Sequence, residues 1–391
     1  MDDKEYLTNK SFCPMPWTGL MYNFNGDVKT CIRSSAPIGN IRDTEISDIL
    51  VGVANTDTKI KMQTRQDGSR CAPCYELETN TNSFDIISDR IFYLKELKTV
   101  DKSIYDTTAN FDLHTIDVRW SNLCNFACVY CGPEFSSKWT SELKTKHTVP
   151  TDTQRNAFKN YIFDNVKNLK HVYLAGGEPL LMKENLELLQ LLKQYNPLIN
   201  LRINTNLSKV DTKIFDMICT FPNVHWTVSV ESIEEEFEYI RYGGKWVDFV
   251  DNLTIIKNLE HKISFNMLHF LLNYQSLFTC IEFLQGMGFH ANSFVIGPLL
   301  KPDFLNIRHL PANVLMQVGV GIQQWLDKKH GFLLDKGLNN MLSYIDIPTH
   351  KDINNCLTEI ARLDARRGLS SMHIFGKLYQ TIGECNATIF K

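Results

Sequence analysis

Seven of the eleven cysteines in this chain lie in close or patterned spacings. They form one set of three and one set of four: Cys124, Cys128 and Cys131, and Cys13, Cys31, Cys71 and Cys74. Reduced thiolates grouped in this way are typical ligands of iron–sulfur clusters or zinc. The other four cysteines stand apart from one another, and we expect them to be small buried hydrophobic residues. The cysteines therefore predict two metal-binding sites.

The set of three lies on residues 121–132, directly after an apolar run that predicts a strand. Three thiolates can hold three corners of a cubane [4Fe–4S] cluster, which leaves the fourth iron without a protein ligand. An open iron is what substrate chemistry at a cluster requires. The alternative for these three residues is a structural zinc site that lacks its fourth ligand, or cysteines that are adjacent by chance.

Between residues 111 and 310, short apolar runs alternate with amphipathic stretches. The runs predict strands at Ile116–Trp120, His171–Ala175, Leu201–Asn204, His225–Val230, Ile263–His269 and Ser293–Gly297. The stretches predict helices at Thr153–Val166, Lys183–Tyr195, Lys213–Thr220, Val247–Leu259 and Leu277–Gly286. This alternation indicates parallel β/α units, with active residues on the loops after the strands.

The elements outside this region differ in kind. Residues 1–100 contain a hairpin signal and one predicted helix, Phe84–Lys98, whereas helices are predicted at Ala312–Lys329 and Thr358–Arg367. We therefore expect an α/β fold in three parts: a small hairpin-plus-helix cluster domain (1–100), a partial (β/α)6 TIM-like barrel (111–310) and a helical C-terminal extension (311–391).

The loop Cys124-x-x-x-Cys128-x-x-Cys131, with Tyr130 before its third cysteine, resembles the cluster loop of the radical S-adenosylmethionine (SAM) superfamily. The resemblance implies that the open iron of a [4Fe–4S] cluster chelates the methionine part of SAM. It also implies that an electron from the cluster cleaves SAM to a 5′-deoxyadenosyl radical, which abstracts hydrogen from a substrate.

The following strand ends resemble the SAM-binding segments of that family. Its GGEP motif, which contacts the methionyl ammonium, matches Gly176, Gly177, Glu178 and Pro179. The resemblance implies that Asn204 and Ser229 lie near the ribose and Arg241 near the methionyl carboxylate, which a guanidinium fork can bind through two hydrogen bonds. Glu231 stands where the family usually has aspartate, so we expect it nearer the substrate. Ordinary polar strand ends, or a surface position for Arg241, are the alternatives.

The first 75 residues predict the second metal site. Asn25-Gly26-Asp27 between apolar runs predicts a hairpin turn that brings Cys13 and Cys31 together, and the pair Cys71 and Cys74 would complete four ligands. Four thiolates bind either zinc or a [4Fe–4S] cluster.

This N-terminal pattern resembles one half of the SPASM domain, in its one-cluster twitch form. Ile38-Gly39-Asn40-Ile41 matches the same family. The domain here precedes the barrel, as in a phage-type group of twitch radical SAM proteins. The resemblance implies an auxiliary iron–sulfur cluster that has no open iron and transfers electrons.

Composition sets the remaining expectations. The formal net charge is −3, and lysine and arginine are scattered, so nucleic acid is not an expected partner. We see no signal peptide and no apolar stretch of about 18 residues, which predicts a cytoplasmic protein without a membrane span. A flavodoxin- or ferredoxin-type protein is the expected one-electron reductant.

Three functions remain open at this point, besides nucleic-acid or ribosome modification, against which the nearly neutral charge counts. The first is oxidation or cross-linking of a peptide or protein. The second is dehydrogenation or epimerisation of a small molecule, such as a sugar, cyclitol or nucleotide. The third is a non-catalytic iron–sulfur or zinc protein with a degenerate barrel.

Overall fold

The structure is a computed structural model that describes residues 9–66, 68–79, 88–347 and 353–389. Its chain divides into two compact units. The first contains Met1–Leu123, Thr145–Asn204 and Asp211–Val224, and the second contains Cys124–Lys144, Thr205–Val210 and His225–Lys391. No helix in the described ranges is long and apolar enough to cross a bilayer.

The first unit is built on six strands in the order β3-β2-β1-β4-β5-β6. These strands are β1 (Gly19–Asn23), β2 (Asp27–Lys29), β3 (Gly39–Asn40), β4 (Thr115–Arg119), β5 (His171–Leu174) and β6 (Asn200–Thr205). Strands β1, β4, β5 and β6 run parallel, whereas β2 and β3 pair antiparallel. The helices of this unit are α1 (Met15–Thr18), α2 (Ile46–Val51), α3 (Val53–Gln63), α4 (Ala72–Thr79), α5 (Asp89–Glu96), α7 (Asp152–Asp164), α8 (Lys183–Tyr195) and α9 (Lys213–Cys219).

The second unit is built on three parallel strands, β7 (Val224–Ser229), β8 (Lys262–His269) and β9 (Phe294–Pro298). Its helices are α6 (Ser137–Leu143), α10 (Glu234–Ile240), α11 (Trp246–Lys257), α12 (Ser276–Gly286), α13 (Ala312–Leu326), α14 (Phe332–Ile345), α15 (Ile353–Arg367), α16 (Ser371–Ile374) and α17 (Gly376–Ile389). The last five make the C-terminal region helical, as predicted.

Local sequence explains where these elements begin. Helix α7 starts with a capping box, in which Gln154 Oε1 accepts from the Thr151 N–H at 2.9 Å and Thr151 Oγ1 accepts from the Gln154 N–H at 3.3 Å. Helix α8 packs its apolar stripe inward, since Leu188, Leu189 and Leu192 are 0 % exposed.

The expected α/β fold is confirmed. Its six β/α strands β4 to β9 appear within two residues of their predicted bounds, and the observed elements are consistent with a partial TIM barrel. The predicted helix Phe84–Lys98 is shorter, Asp89–Glu96, and its predicted residues 84–87 lie outside the described ranges. The hairpin is also confirmed, with Tyr22 opposite Val28 and Gly26 at a φ of 94° in the turn. The three-part division of the chain stays a prediction.

Candidate functional site

The three-cysteine loop is tied by its backbone to the segment that follows helix α10. The N–H groups of Ala127 and Val129 donate to the carbonyl oxygens of Tyr242 and Ile240, both at 2.8 Å. Trp139 of α6 donates its Nε1–H to the carbonyl oxygen of Cys128 at 2.8 Å. The loop is therefore held from two sides, so the three thiols have a defined position.

The three thiols lie within electrostatic reach of one another. Cys128 is 6 % exposed. A hydrogen bond with Cys131 lowers the pKa of Cys128, and the charge of Arg241 lowers it further. The same hydrogen bond, burial and the neighbouring sulfurs raise the pKa of Cys131. The two thiols are therefore hydrogen-bonded to each other, and the charge of Arg241 favours a thiolate in this pair.

Arg241 and Glu231 form a buried ion pair next to Cys128. Arg241 Nε donates to Glu231 Oε2 at 2.9 Å, and Arg241 Nη2 donates to Glu231 Oε1 at 2.6 Å. The Tyr130 hydroxyl donates to the same Oε1 at 2.9 Å. Arg241 Nη1 lies 4.0 Å from the sulfur of Cys128. Burial raises the pKa of Glu231, and Arg241 and Tyr130 act against that rise.

This geometry changes two expectations. The Nε–Nη2 edge of Arg241 is already occupied by Glu231, so that edge is not available to a second carboxylate. Glu231 is 1 % exposed and accepts hydrogen bonds on both oxygens, so in this arrangement it contacts Arg241 and Tyr130. Asn273 anchors it from behind by donating to the Glu231 carbonyl oxygen at 2.9 Å.

Two further residues of the second unit were not singled out from the sequence: Asn206, which contacts the loop, and Arg367, which contacts Trp139 of α6. Asn206 Nδ2 lies 3.7 Å from the Cys124 sulfur and donates to Asn125 Oδ1 at 3.2 Å. Arg367 stacks on the ring of Trp139 at 4.5 Å. Asn206 lies two residues beyond Asn204, which the sequence did indicate, whereas no sequence signal marks Arg367.

The GGEP segment, which follows β5, lies against the residues that lead into the cysteine loop. The Glu178 N–H donates to the Leu123 carbonyl oxygen at 2.7 Å. A Cβ at Gly177 would lie 2.2 Å from that same oxygen, and Gly176 adopts a φ of 113°. Both positions therefore require glycine. Pro179 opens a single 3-10 turn, Pro179–Leu181, and the Glu178 carboxylate accepts from the Leu180 N–H at 3.2 Å.

The two remaining candidates for SAM binding are strand-end residues. Asn204 is the penultimate residue of β6 and Ser229 is the last residue of β7, and both are half-buried. Both therefore stand at the carboxyl ends of parallel strands, where active residues are expected in β/α folds.

The four N-terminal cysteines line one pocket in the first unit. Cys13 precedes α1, Cys31 follows β2, Cys71 ends a 3-10 turn and Cys74 lies on α4. The rest of the lining is Met15, Arg33, Ser34, Asp89, Arg90 and Tyr93. The pocket rests on an apolar cluster that contains Phe12, Trp17, Met62 and Tyr105. Cysteines up to 61 positions apart in sequence thus present four sulfurs to one space.

Burial raises the pKa of each of these thiols, to about 12 for Cys31 and to about 11 for Cys71, and repulsion from neighbouring sulfurs adds to the rise at Cys13, Cys31 and Cys71. The cationic irons of a cluster would remove this repulsion. Arg90, 3 % exposed, pairs with Glu78 and donates to the Phe12 carbonyl oxygen at 3.0 Å, which fixes the segment before Cys13. No group of His, Cys, Asp or Glu in the described ranges forms a ready site for a single metal ion. The thiolates of a cluster do not need to converge on one point, since each thiolate binds a different iron.

Two families match this chain. Residues 118–284 match the radical SAM superfamily, and residues 13–75 match SPASM, an iron–sulfur cluster-binding domain. A radical SAM domain implies a [4Fe–4S] cluster and SAM, and a SPASM domain implies additional iron–sulfur clusters. The donor sets described above fit these groups, because three thiols leave one iron open and four close a cluster.

Individual relatives are distant. GTP 3′,8-cyclase of Campylobacter lari is 22 % identical over 200 residues, which cover 47 % of this chain and 59 % of that protein. The structure of anSMEcpe with bound AdoMet is 16 % identical, with a TM-score of 0.41, over 53 % of this chain and 58 % of that one. Streptococcus suis SuiB bound to precursor peptide SuiA is 12 % identical, with a TM-score of 0.42, over 72 % and 61 %. The chain thus spans about three fifths of the length of each of these relatives.

Proposed function

We propose that this chain, which belongs to the radical SAM superfamily and carries a SPASM iron–sulfur domain at its N-terminal end, is an enzyme that oxidises a substrate by hydrogen abstraction. When bound, the cluster held by Cys124, Cys128 and Cys131 would supply the electron for reductive cleavage of SAM to methionine and a hydrogen-abstracting 5′-deoxyadenosyl radical. The auxiliary cluster would supply an acceptor for the electron that the substrate loses, together with a proton, on oxidation. The observation that carries the proposal is the backbone-anchored three-thiol loop with Arg241 beside it.

The residues of the loop have separate tasks in this proposal. Cys124, Cys128 and Cys131 hold the SAM-binding cluster. Arg241 orients the methionyl carboxylate through Nη1, the nitrogen that is not bonded to Glu231. Glu231 is a positioning residue, which together with Tyr130 holds the guanidinium in place.

Backbone and polar groups at the strand ends bind the rest of SAM in this proposal. The GGEP residues Gly176, Gly177, Glu178 and Pro179 face the methionyl ammonium, and Asn204 and Ser229 face the ribose. Both glycines let this segment pack against the backbone that leads into the cysteine loop, and that placement supports the assignment for the GGEP segment.

Cys13, Cys31, Cys71 and Cys74 hold the auxiliary cluster in this proposal, and zinc is the alternative occupant. Because all four thiols face one pocket, no iron there is left for SAM. We keep the division into a cluster domain (1–100), a radical SAM core (111–310) and a helical extension (311–391), and the matched segments lie within the first two parts. The proposed reductant is a flavodoxin or ferredoxin, and the proposed compartment is the cytoplasm, where thiols stay reduced.

Iron content tests this assignment. After anaerobic reconstitution the chain should contain about eight irons, and a triple Cys124, Cys128 and Cys131→Ala variant should contain about four. Reduced wild-type protein should also form 5′-deoxyadenosine from SAM. Four irons together with zinc in the wild type would contradict the auxiliary cluster alone, whereas full iron without SAM cleavage would contradict the enzyme proposal and favour a non-catalytic protein.

Two substrate classes remain as candidates. The first is a peptide or protein, oxidised or cross-linked. The second is a small molecule, dehydrogenated or epimerised, and the similarity to GTP 3′,8-cyclase favours it. A substrate should accelerate 5′-deoxyadenosine formation above the uncoupled rate, so parallel assays with peptide pools and with nucleotide or sugar pools separate the two classes.

A further inference from the structure

The end of helix α15 carries a buried arginine side chain. Arg367 is the last residue of that helix, and its side chain is 2 % exposed. Its guanidinium carbon lies 4.5 Å from the centre of the Trp139 ring and 4.3 Å from the centre of the Tyr242 ring. Its Nη2 pairs with Glu142 Oε2 at 3.2 Å. Residues 311–391, which include this helix, lie outside both matched segments, so neither family match accounts for these contacts.

Both rings belong to residues that hold the three-cysteine loop. Trp139 of α6 donates its Nε1–H to the Cys128 carbonyl oxygen at 2.8 Å. The Tyr242 carbonyl oxygen accepts from the Ala127 N–H, also at 2.8 Å. Glu142 lies on the same helix as Trp139, three residues later. Arg367 therefore joins the two elements that fix the loop backbone at residues 127 and 128.

Asp364, three residues before Arg367, attaches this helix end to α10. Its Oδ1 accepts from the hydroxyl of Tyr239, which lies on α10, at 2.7 Å. Its Oδ2 accepts from the Ser371 N–H at 2.8 Å and from the Ser371 hydroxyl at 2.6 Å. Gly368 adopts a φ of 65°, which ends the helix directly after Arg367. The guanidinium therefore extends from a helix end that has a defined position relative to α10 and to the Tyr242 segment after it.

The contacts of Arg367 suit a planar cation. Burying a guanidinium costs free energy, and its one carboxylate partner, Glu142, also lies 3.5 Å from Nη1 of the exposed Arg366. Within the described ranges, Nη1 of Arg367 has no hydrogen-bond partner, so its aromatic contacts contribute to compensating the burial. Arg366 is 5.9 Å from the Trp139 ring and Lys138 is 5.3 Å from the Tyr242 ring, both farther than Arg367. Stacking on aromatic faces is a property of the planar guanidinium that the ammonium of lysine lacks.

We propose that Arg367 is a positioning residue of the SAM-binding cluster, and that the C-terminal helices are therefore part of that site. Through Trp139 and Tyr242 it holds the loop backbone at residues 127 and 128, next to the thiol of Cys128. The inference rests on the proposed function, because it concerns the loop that holds the cluster there. Since Arg367 determines where the three thiolates stand, its loss should weaken both SAM binding and the retention of iron by this loop.

SAM binding to the reduced holoenzyme tests the proposal. SAM is titrated into dithionite-reduced protein, and the change that it causes in the electron paramagnetic resonance spectrum reports the cluster with an open iron. Arg367→Gln should bind SAM at least about ten-fold more weakly than wild type, which is the usual size of effects from residues around metal ligands. Arg367→Lys keeps the charge but not the planar group, so it should be about as weak as Arg367→Gln. Arg362→Gln is the matched control and should resemble wild type, since Arg362 lies on the same helix with a side chain 67 % exposed.

Two further measurements separate positioning from general stability. Trp139→Phe keeps a ring but removes the hydrogen bond to the Cys128 carbonyl oxygen, so combining it with Arg367→Gln should cost less binding free energy than the sum of the two single losses. Without SAM, about four of about eight irons should pass to the chelator bathophenanthroline faster in Arg367→Gln than in Arg362→Gln. Melting curves identify variants that fail to fold, and Arg367→Lys replaces Arg367→Gln if the latter does not fold.

Several outcomes would overturn the proposal. A folded Arg367→Gln variant that binds SAM as tightly as wild type refutes it and spares the proposed function. Wild-type affinity in Arg367→Lys also refutes it, because a positive charge alone would then suffice. Additive losses in the double variant refute the action through Trp139. If the wild type itself shows no response to SAM, the proposed function fails, and the iron release then decides whether Arg367 positions the loop.

Discussion

The buried pair Arg241–Glu231 offers the sharpest test of the site, through the variant Glu231→Gln. In the native chain the carboxylate accepts hydrogen bonds from Arg241 Nε at 2.9 Å, Arg241 Nη2 at 2.6 Å and the Tyr130 hydroxyl at 2.9 Å. Glutamine retains one acceptor oxygen and presents an NH2 group to donors, so the guanidinium, 2 % exposed, loses its counter-charge. Breaking a buried ion pair in this way costs about 3–5 kcal/mol of unfolding free energy.

This loss of unfolding free energy should lower the melting temperature. For a unit of 150–250 residues, each kcal/mol corresponds to roughly 2–4 °C, so we expect the melting point to fall by roughly 6–20 °C. The assay is differential scanning fluorimetry of the reduced protein under nitrogen. Glu238→Gln is the matched control, because Glu238 pairs with Lys245 at 2.6 Å with side chains 32 % and 68 % exposed. That exposed pair should contribute no more than about 1 kcal/mol.

An equal melting point for both glutamine variants would refute the reasoning, since Glu231 would then not be needed to hold the guanidinium. A fall in the Glu231 variant only, accompanied by weaker SAM binding, would support its positioning of Arg241. A SAM affinity unchanged after such a fall would limit the pair to a structural contribution.

Two further predictions concern the first unit and its contacts. Burial lowers the pKa of Lys59 from 10.5 to about 8. Between these pH values the unfolded chain binds more protons than the folded chain, so the unfolding free energy should rise with pH by at most about 3 kcal/mol. Urea titrations at pH 7.5–10.5 should show this rise in the wild type and not in Lys59→Met, and an equal pH dependence of both proteins would contradict it. Gly177→Ala places a Cβ 2.2 Å from the Leu123 carbonyl oxygen, so we expect it to lose the iron of the three-cysteine loop, measured by iron analysis. The control is Gly321→Ala, because no atom lies within 4 Å of a Cβ at Gly321, and this variant should be stabilised by roughly 0.5–1 kcal/mol. A full iron content in Gly177→Ala would show that the loop tolerates the change.

Arg241 and Glu231 form a contact that the sequence alone did not predict. The sequence predicted two separate contacts, with Arg241 near the SAM carboxylate and Glu231 nearer the substrate. In the structure the two side chains contact each other and Tyr130, a residue 101 positions from Glu231. A partner of this kind depends on how a loop after one strand folds against a loop after another, which no local pattern encodes.

The N-terminal hairpin shows the same limit in the fold. Asn25-Gly26-Asp27 predicts its turn correctly, because a turn depends on the φ that glycine permits. Its first strand, however, pairs in parallel with β4, with Leu20 opposite Ile116, and nothing in either segment specifies that pairing. Helix α14, Phe332–Ile345, was likewise not predicted, although four of its apolar residues are fully or nearly buried against the rest of its unit: Leu334, Leu338, Met341 and Ile345.

What the sequence by itself determined is local: the spacing of the three loop cysteines, the 3.6-residue stripe of Lys183–Tyr195, and the apolar runs that became strands. These depend on residues within a few positions of one another, so their physics is contained in a short segment. Only the tertiary structure decided which charges lie together, as in the row Asp117, Tyr173 and Arg202, whose members are separated by 56 and 29 positions. Strand register creates that row, and register is set by the packing of the whole sheet rather than by any one strand.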